Sequence, residues 1–150
     1  MLQISFLGDI SFNNCYNEFY ETKTNPFKEV ELELQKSHFN IGNLECLSKG
    51  DFGENILKYP RLSTEQNTLN LLKHLNIGAV TLAHNHVYDN LKDGFEKTIQ
   101  NLKSQKIKFL GAALDAGSSE KELIIEENGI KLGLLNYVNK NTNPKIPDNA

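Results

Sequence analysis

Four short apolar runs of strand length, each ending in a polar tip, alternate with segments of helical period. This order restricts the chain to a sheet covered by helices. Gln3–Leu7 ends in Gly8-Asp9, Phe39–Leu44 runs into Glu45, Ile77–Leu82 leads into the segment His84–Asp89, and Ile107–Leu110 closes on Gly111-Ala112-Ala113. Between the first two, Pro26 suits the first turn of a helix that carries Phe27, Val30 and Leu34 on one face and ends near Lys36. Ser63 and Gln66 have the spacing of a capping box ahead of a helical face of Leu69, Leu71, Leu72 and Leu75. Leu91, Phe95, Ile99 and Leu102 predict a helix over Asn90–Ser104, whereas Lys49–Pro60, rich in Gly and charge, reads as a loop.

Right-handed crossovers make the four strands parallel. The pattern then changes. Glu122–Glu127 and Ile130–Val138 flank Asn128-Gly129, a dipeptide that accepts the left-handed backbone of a tight turn, and this predicts an antiparallel hairpin. The tail Asn139–Ala150 reads as a loop. The expectation is one α/β domain over residues 1–150: a parallel sheet with helices, followed by a C-terminal hairpin.

Ligands of such sheets bind beyond the carboxyl ends of the strands. Asp9, Asn43, Glu45, Asn85 and His86 all fall at that edge, with His84 beside them. Carboxylate and amide oxygens together with imidazole nitrogens suit Mn, Fe, Zn or Mg. Two such ions can polarise a phosphate and activate a water, and a histidine outside the ligand set can protonate the leaving oxygen. Each residue also has a plainer reading. Asp9 is a ligand or a turn cap, Asn43 a ligand or a turn former, and Glu45 a ligand or a solvated carboxylate. Asn85 is a ligand or a left-handed turn residue, His86 an acid or a hydrogen-bonded structural histidine, and His84 a ligand or a ring that points away. Asp89 is expected to cap the following helix, and His38 and His74 to be structural or surface groups. Arg61 is either a clamp for an anion or a solvated loop residue.

The bulk properties exclude some classes. Hydrophobic content is 39%, charged content 23% and net charge −3 over 150 residues, so no basic footprint for nucleic acid is present. Cys15 and Cys46 lie outside any C-x-x-C pattern and read as two reduced thiols. The N-terminus lacks the basic, apolar and small-residue regions of a signal peptide, and no run approaches the roughly 20 apolar residues of a membrane span. These features predict a cytoplasmic chain, with membrane association through partners as the alternative.

Gly8-Asp9-Ile10, Gly42-Asn43-Leu44-Glu45 and Asn85-His86-x-x-Asp89, in that order and spacing, resemble the capsule-synthesis CapA family, bacterial proteins named for poly-gamma-glutamate capsule synthesis. The flanks resemble it too: Lys73-His74-Leu75-Asn76-Ile77-Gly78, Gly111-Ala112-Ala113, and Asn128-Gly129-Ile130-Lys131-Leu132. The resemblance implies a layered fold similar to calcineurin-like metallophosphoesterases, of which this chain corresponds to the N-terminal portion. It implies a divalent metal, with Asp9, Asn43 or Glu45, and Asn85 as ligand candidates and His86 assisting the leaving group; His84, which stands where the family commonly has Asn, adds a further ligand or a partner for His86. The function it implies is synthesis of a capsule or other cell-surface polymer, by hydrolysis of a phosphate ester or related bond. The substrate would be the polymer or a phosphorylated small molecule, and other capsule-synthesis proteins would be partners. A non-catalytic assembly or export factor, or an anionic-polymer binding domain, is the alternative. This chain departs from the phosphoesterase pattern at Asp9-Ile10-Ser11, where Asp-x-His is usual. It departs from the family at His84, where Asn is common, and at Asn90-Leu91, where Tyr-Gly is usual.

Overall fold

The computed structural model describes residues 2–114 and 122–144. Strand β1 (Ile4–Ile10) is followed by helices α1 (Cys15–Glu21) and α2 (Lys28–Leu34) and strand β2 (Phe39–Leu44). A 3-10 turn (Gln66–Asn70) leads into α3 (Leu71–His74) and β3 (Ile77–Thr81), then α4 (Leu91–Ser104) and β4 (Lys108–Leu110). Strands β5 (Leu123–Glu127) and β6 (Ile130–Leu134) form the hairpin, and Lys140–Thr142 is a final 3-10 turn. The first four strands make one parallel sheet in the order β1-β2-β3-β4, and β5-β6 is a separate antiparallel pair. The expected α/β class and topology are therefore present.

Apolar side chains divide between the two faces of the parallel sheet, because successive strand residues point to opposite sides. On the helical side Leu44, Val80 and Leu82 pack with Leu69, Leu72, Phe95, Ile99 and Leu102 in the main core. On the other side Ile41 and Ala79 pack against Ile125 of the hairpin, with Ile4, Phe39, Leu123, Leu132 and Leu134 around them. The hairpin thus covers the face that the helices leave bare. Its turn has φ of 51° at Asn128 and 75° at Gly129, the left-handed pair that the sequence predicts. Asn40, the second residue of β2, is fully buried. Its amide donates to the carbonyls of Leu34 (2.9 Å) and Asn76 (3.0 Å), which ties the end of α2 to the turn before β3. Its donors are thus paired, while its buried Oδ1 has no partner among the described residues.

Several expectations need correction. β1 does not stop at Leu7 but continues through Gly8 and Asp9 after a register shift, because its tail pairs again with Asn43 and Leu44. Helix α1 escaped the sequence reading. It is held by aromatic packing rather than by an aliphatic stripe, with Tyr16 stacked on Phe27 at 5.4 Å and edge-on to Phe12. Phe27, just ahead of α2, and Leu34 at its end face the core, whereas Val30 is half exposed. Ser63 and Gln66 form no capping box, since the segment begins as a 3-10 turn without a side-chain cap. β6 ends at Leu134, short of Val138, and the tail contains a 3-10 turn with residues 145–150 outside the described residues.

The two cysteines are free. Cys15 is exposed, and Cys46 is buried with its thiol pushed up to about 12 by loss of solvation. A thiol reagent at neutral pH should therefore modify Cys15 in the native protein and reach Cys46 only after unfolding. Two thiols reacting at similar rates without denaturant would contradict this packing.

Candidate functional site at the carboxyl edge of the parallel sheet

Parallel pairing places Asp9, Asn43 and Thr81 in one row across the ends of β1, β2 and β3. Their side chains are joined: Asn43 Nδ2 donates to Asp9 Oδ1 (2.7 Å), and Thr81 Oγ1 donates to Asn43 Oδ1 (2.8 Å). The Asp9 carboxylate is exposed at the end of the row. Glu45 follows directly on β2, with its backbone N–H bonded to the Ile10 carbonyl (3.0 Å).

The loop after β3 supplies the second group. Its base is clamped by Asn136, which accepts from the Ala83 N–H (2.6 Å) and donates to the Ala83 carbonyl (3.4 Å). Gly111, at φ 93°, makes room for that clamp, since a Cβ there would fall on Asn136 Oδ1. His86 is 6% exposed. Its Nδ1 lies 2.6 Å from Asp89 Oδ2, and its Nε2 lies 3.9 Å from Glu45 Oε1. A carboxylate only accepts, so the Nδ1 position carries the proton and Nε2 of the neutral ring presents a lone pair toward Glu45.

Asp89 is fully buried and does not cap α4, whose first turn has Asn90 at its start with no side-chain cap. Instead its Oδ2 accepts from His86 and from the Leu62 N–H (2.9 Å), and its Oδ1 accepts from Asn143 Nδ2 (2.9 Å). Three converging donors outweigh the single contact that a cap would supply. The expected helix cap is therefore the support of a histidine.

His84 is also buried, at 7% exposure. Its Nδ1 accepts the backbone N–H of His86 (3.1 Å), so its proton sits on Nε2, which has no hydrogen-bond partner among the described residues. Burial pushes its pKa down to about 4, with the Leu44 carbonyl opposing and the neighbouring His86 adding to the shift. Asn85 is exposed, and its backbone carbonyl accepts from Asn143 Nδ2 (2.9 Å).

The structure thus brings together Asp9 with Asn43, and Glu45 with His86 and Asp89, along one sheet edge. Asn85 contributes a fixed backbone and an exposed amide. Among the described residues no three His, Cys, Asp or Glu side chains are grouped to hold a metal ion. His38 and His74 stay outside the site. His38 Nδ1 accepts from the Gln3 N–H (3.2 Å), and His74 pairs with Glu31 (3.4 Å). Arg61 is engaged inside its own loop by Glu54 (2.9 Å) and the Lys58 carbonyl (2.7 Å). Sequence reasoning missed Asn55, Asn136 and Asn143, which sit in segments read as loop, strand end and tail. No helical or strand period marks such residues, because their role is set by distant partners.

The family model described as bacterial capsule synthesis protein PGA_cap matches residues 3–150. The PGA biosynthesis protein CapA of Bacillus subtilis (strain 168) is 24% identical over 143 residues, covering 91% of this chain and 37% of the relative. The chain thus spans little more than a third of the curated relative it matches. No helix among the described residues is long and apolar enough to cross a membrane. With its motif order carried on a parallel sheet plus hairpin and matched over residues 3–150, this chain belongs to the bacterial capsule synthesis protein family PGA_cap.

Proposed function

We propose that this chain forms the proton-transfer half of a hydrolytic site that acts in the synthesis or processing of a capsule or another cell-surface polymer. The observation that carries this reading is the line Glu45–His86–Asp89 at the sheet edge, with His86 only 6% exposed. Asp89 holds the ring through Nδ1, which leaves Nε2 to move a proton at the open side. His86 in its protonated form would donate to a leaving oxygen of a phosphate ester or related bond. The substrate is the polymer itself or a phosphorylated small molecule, and other capsule-synthesis proteins are the partners this family setting favours.

A divalent ion of the Mn, Fe, Zn or Mg kind would draw on the oxygens of Asp9, Asn43, Glu45 and Asn85. As placed, these donors do not close round one ion. Asn43 is committed to Asp9 and Thr81, His84 Nδ1 to a backbone N–H, and Asn85 is turned to solvent. The same arrangement favours a second reading, in which the fold serves assembly, export or binding of an anionic polymer without turnover.

The two readings separate on the full-length protein. Hydrolysis of a chromogenic phosphate diester that falls about 10²–10⁴-fold in His86→Gln supports the catalytic reading. Absence of turnover, with elemental analysis finding no bound metal and Asp9→Ala and His86→Gln leaving polymer retention intact, refutes it.

A further inference from the structure

The segment around Asn143 reaches the site, and what it brings there is a buried amide. Asn143 is fully buried, as are Asn55 and Asp89. The Asn143 amide group donates twice, to Asp89 Oδ1 (2.9 Å) and to the Asn85 carbonyl (2.9 Å). Its own Oδ1 accepts from Asn55 Nδ2 (2.9 Å), and Asn55 Nδ2 also reaches the Pro144 carbonyl. The Asn55 N–H in turn donates to the Asp89 carbonyl (2.7 Å). Every polar atom of the Asn143 side chain is thus used, and each bond joins segments 54 to 88 residues apart in sequence. Only an amide fits this position. It needs two donors on one nitrogen and an acceptor next to it, which a carboxylate or hydroxyl does not offer.

We propose that Asn143 is a positioning residue for His86. It fixes which oxygen of Asp89 faces the imidazole, and so keeps the Nδ1–H form of the ring with Nε2 directed at Glu45. Asn55 orients Asn143 in the same way, one bond further out. This extends the catalytic reading of His86, but the geometry it predicts is measurable without turnover. With Asn143 present, Oδ1 of Asp89 is occupied and Oδ2 alone receives the ring. Without it, Oδ1 is buried and unpaired. The carboxylate gains by rotating toward the other donors, and the ring loses its single fixed acceptor.

The test is ¹⁵N NMR of the full-length protein labelled at histidine, at a pH where the ring is neutral. Wild type should show His86 with a protonated Nδ1, an unprotonated Nε2, and a downfield Nδ1–H proton typical of a short bond to carboxylate. In Asn143→Ala the share of the Nε2–H form should rise about tenfold, with the downfield proton moved or lost. Asn55→Ala should shift the same signals less. If Asn143→Ala does not fold, Asn55→Ala and wild type still decide. A wild-type ring protonated at Nε2 overturns the proposal, and so does an unchanged tautomer in a folded variant. Failure of the phosphate diester assay would bear on the catalytic reading alone, because the tautomer signals do not depend on it.

Discussion

Asp89→Ala should lower the stability of the fold by about 3–5 kcal/mol, among the largest losses for any single substitution at the sheet edge. The side chain is fully buried and receives three donors: His86 Nδ1, the Leu62 N–H and Asn143 Nδ2. Alanine leaves all three without an acceptor in a place water does not readily reach. A buried donor stripped of its partner costs about 1–3 kcal/mol, more than an ordinary hydrogen bond contributes. Asp89→Asn is the sharper comparison. It keeps two polar atoms of nearly the same shape but turns one acceptor into a donor, so one of the three bonds becomes a clash of donors. Its loss should be smaller, about 1–3 kcal/mol, while His86 still loses its carboxylate. Equilibrium urea unfolding of both variants checks the order. Equal stability of Asp89→Ala and wild type would show that these contacts are not made in solution.

The second large effect is a dependence on pH that His84 imposes. Its ordinary pKa of 6.5 falls to about 4 in the folded chain because burial disfavours the charged ring. Above the ordinary value both folded and unfolded chains hold a neutral His84, and the full stability is present. As pH falls from 6.5 toward 4 the unfolded chain takes up the proton first. Stability is then lost progressively through that window and the loss levels off below the folded pKa. The total is roughly 3 kcal/mol, from about 1.4 kcal/mol per pKa unit. Carboxylates add their own acid effects, so the measurement is a difference. Wild type and His84→Asn are unfolded in urea from about pH 7.5 to 4, and the wild type should lose about 3 kcal/mol more. A constant gap between them would sink the assignment. Asn is chosen because its carbonyl oxygen can take over the bond from the His86 N–H.

Much of the fold was legible because its signals are local. Asn128-Gly129 marks the hairpin turn by backbone preference alone, and Leu91, Phe95, Ile99 and Leu102 mark α4 by period, although Leu91 itself sits at its margin with φ 57°. The site residues at the strand ends were legible for a similar reason: a parallel sheet brings its carboxyl ends to one edge, so Asp9 and Asn43 meet there without further information. What the sequence hides is the partner of each polar group. Asp89 sits one residue before Asn90 and looks like a cap, but its acceptors are claimed by donors from Leu62, His86 and Asn143. Helix α1 stayed hidden because it is only seven residues long and its stripe at helical spacing is aromatic, Tyr16, Phe19 and Tyr20, packed through ring contacts with Phe12 and Phe27 rather than through aliphatic side chains. The commitment of Asn43 to both Asp9 and Thr81 was equally invisible, and it changes what a ligand set at this edge would have to displace.

The distance in sequence between Asn55 and Asn143, 88 residues, has a consequence during synthesis. The ribosome releases the chain N-terminus first, and the contacts of β1, β2 and β3 can form once Thr81 has emerged. The histidine loop follows soon after, yet its carboxylate has no amide to meet until the segment around Asn143 leaves the exit tunnel. A nascent chain stalled before that point should carry a formed sheet and an unlocked loop, so folding of the core and completion of the polar network at the sheet edge become two separate events in time.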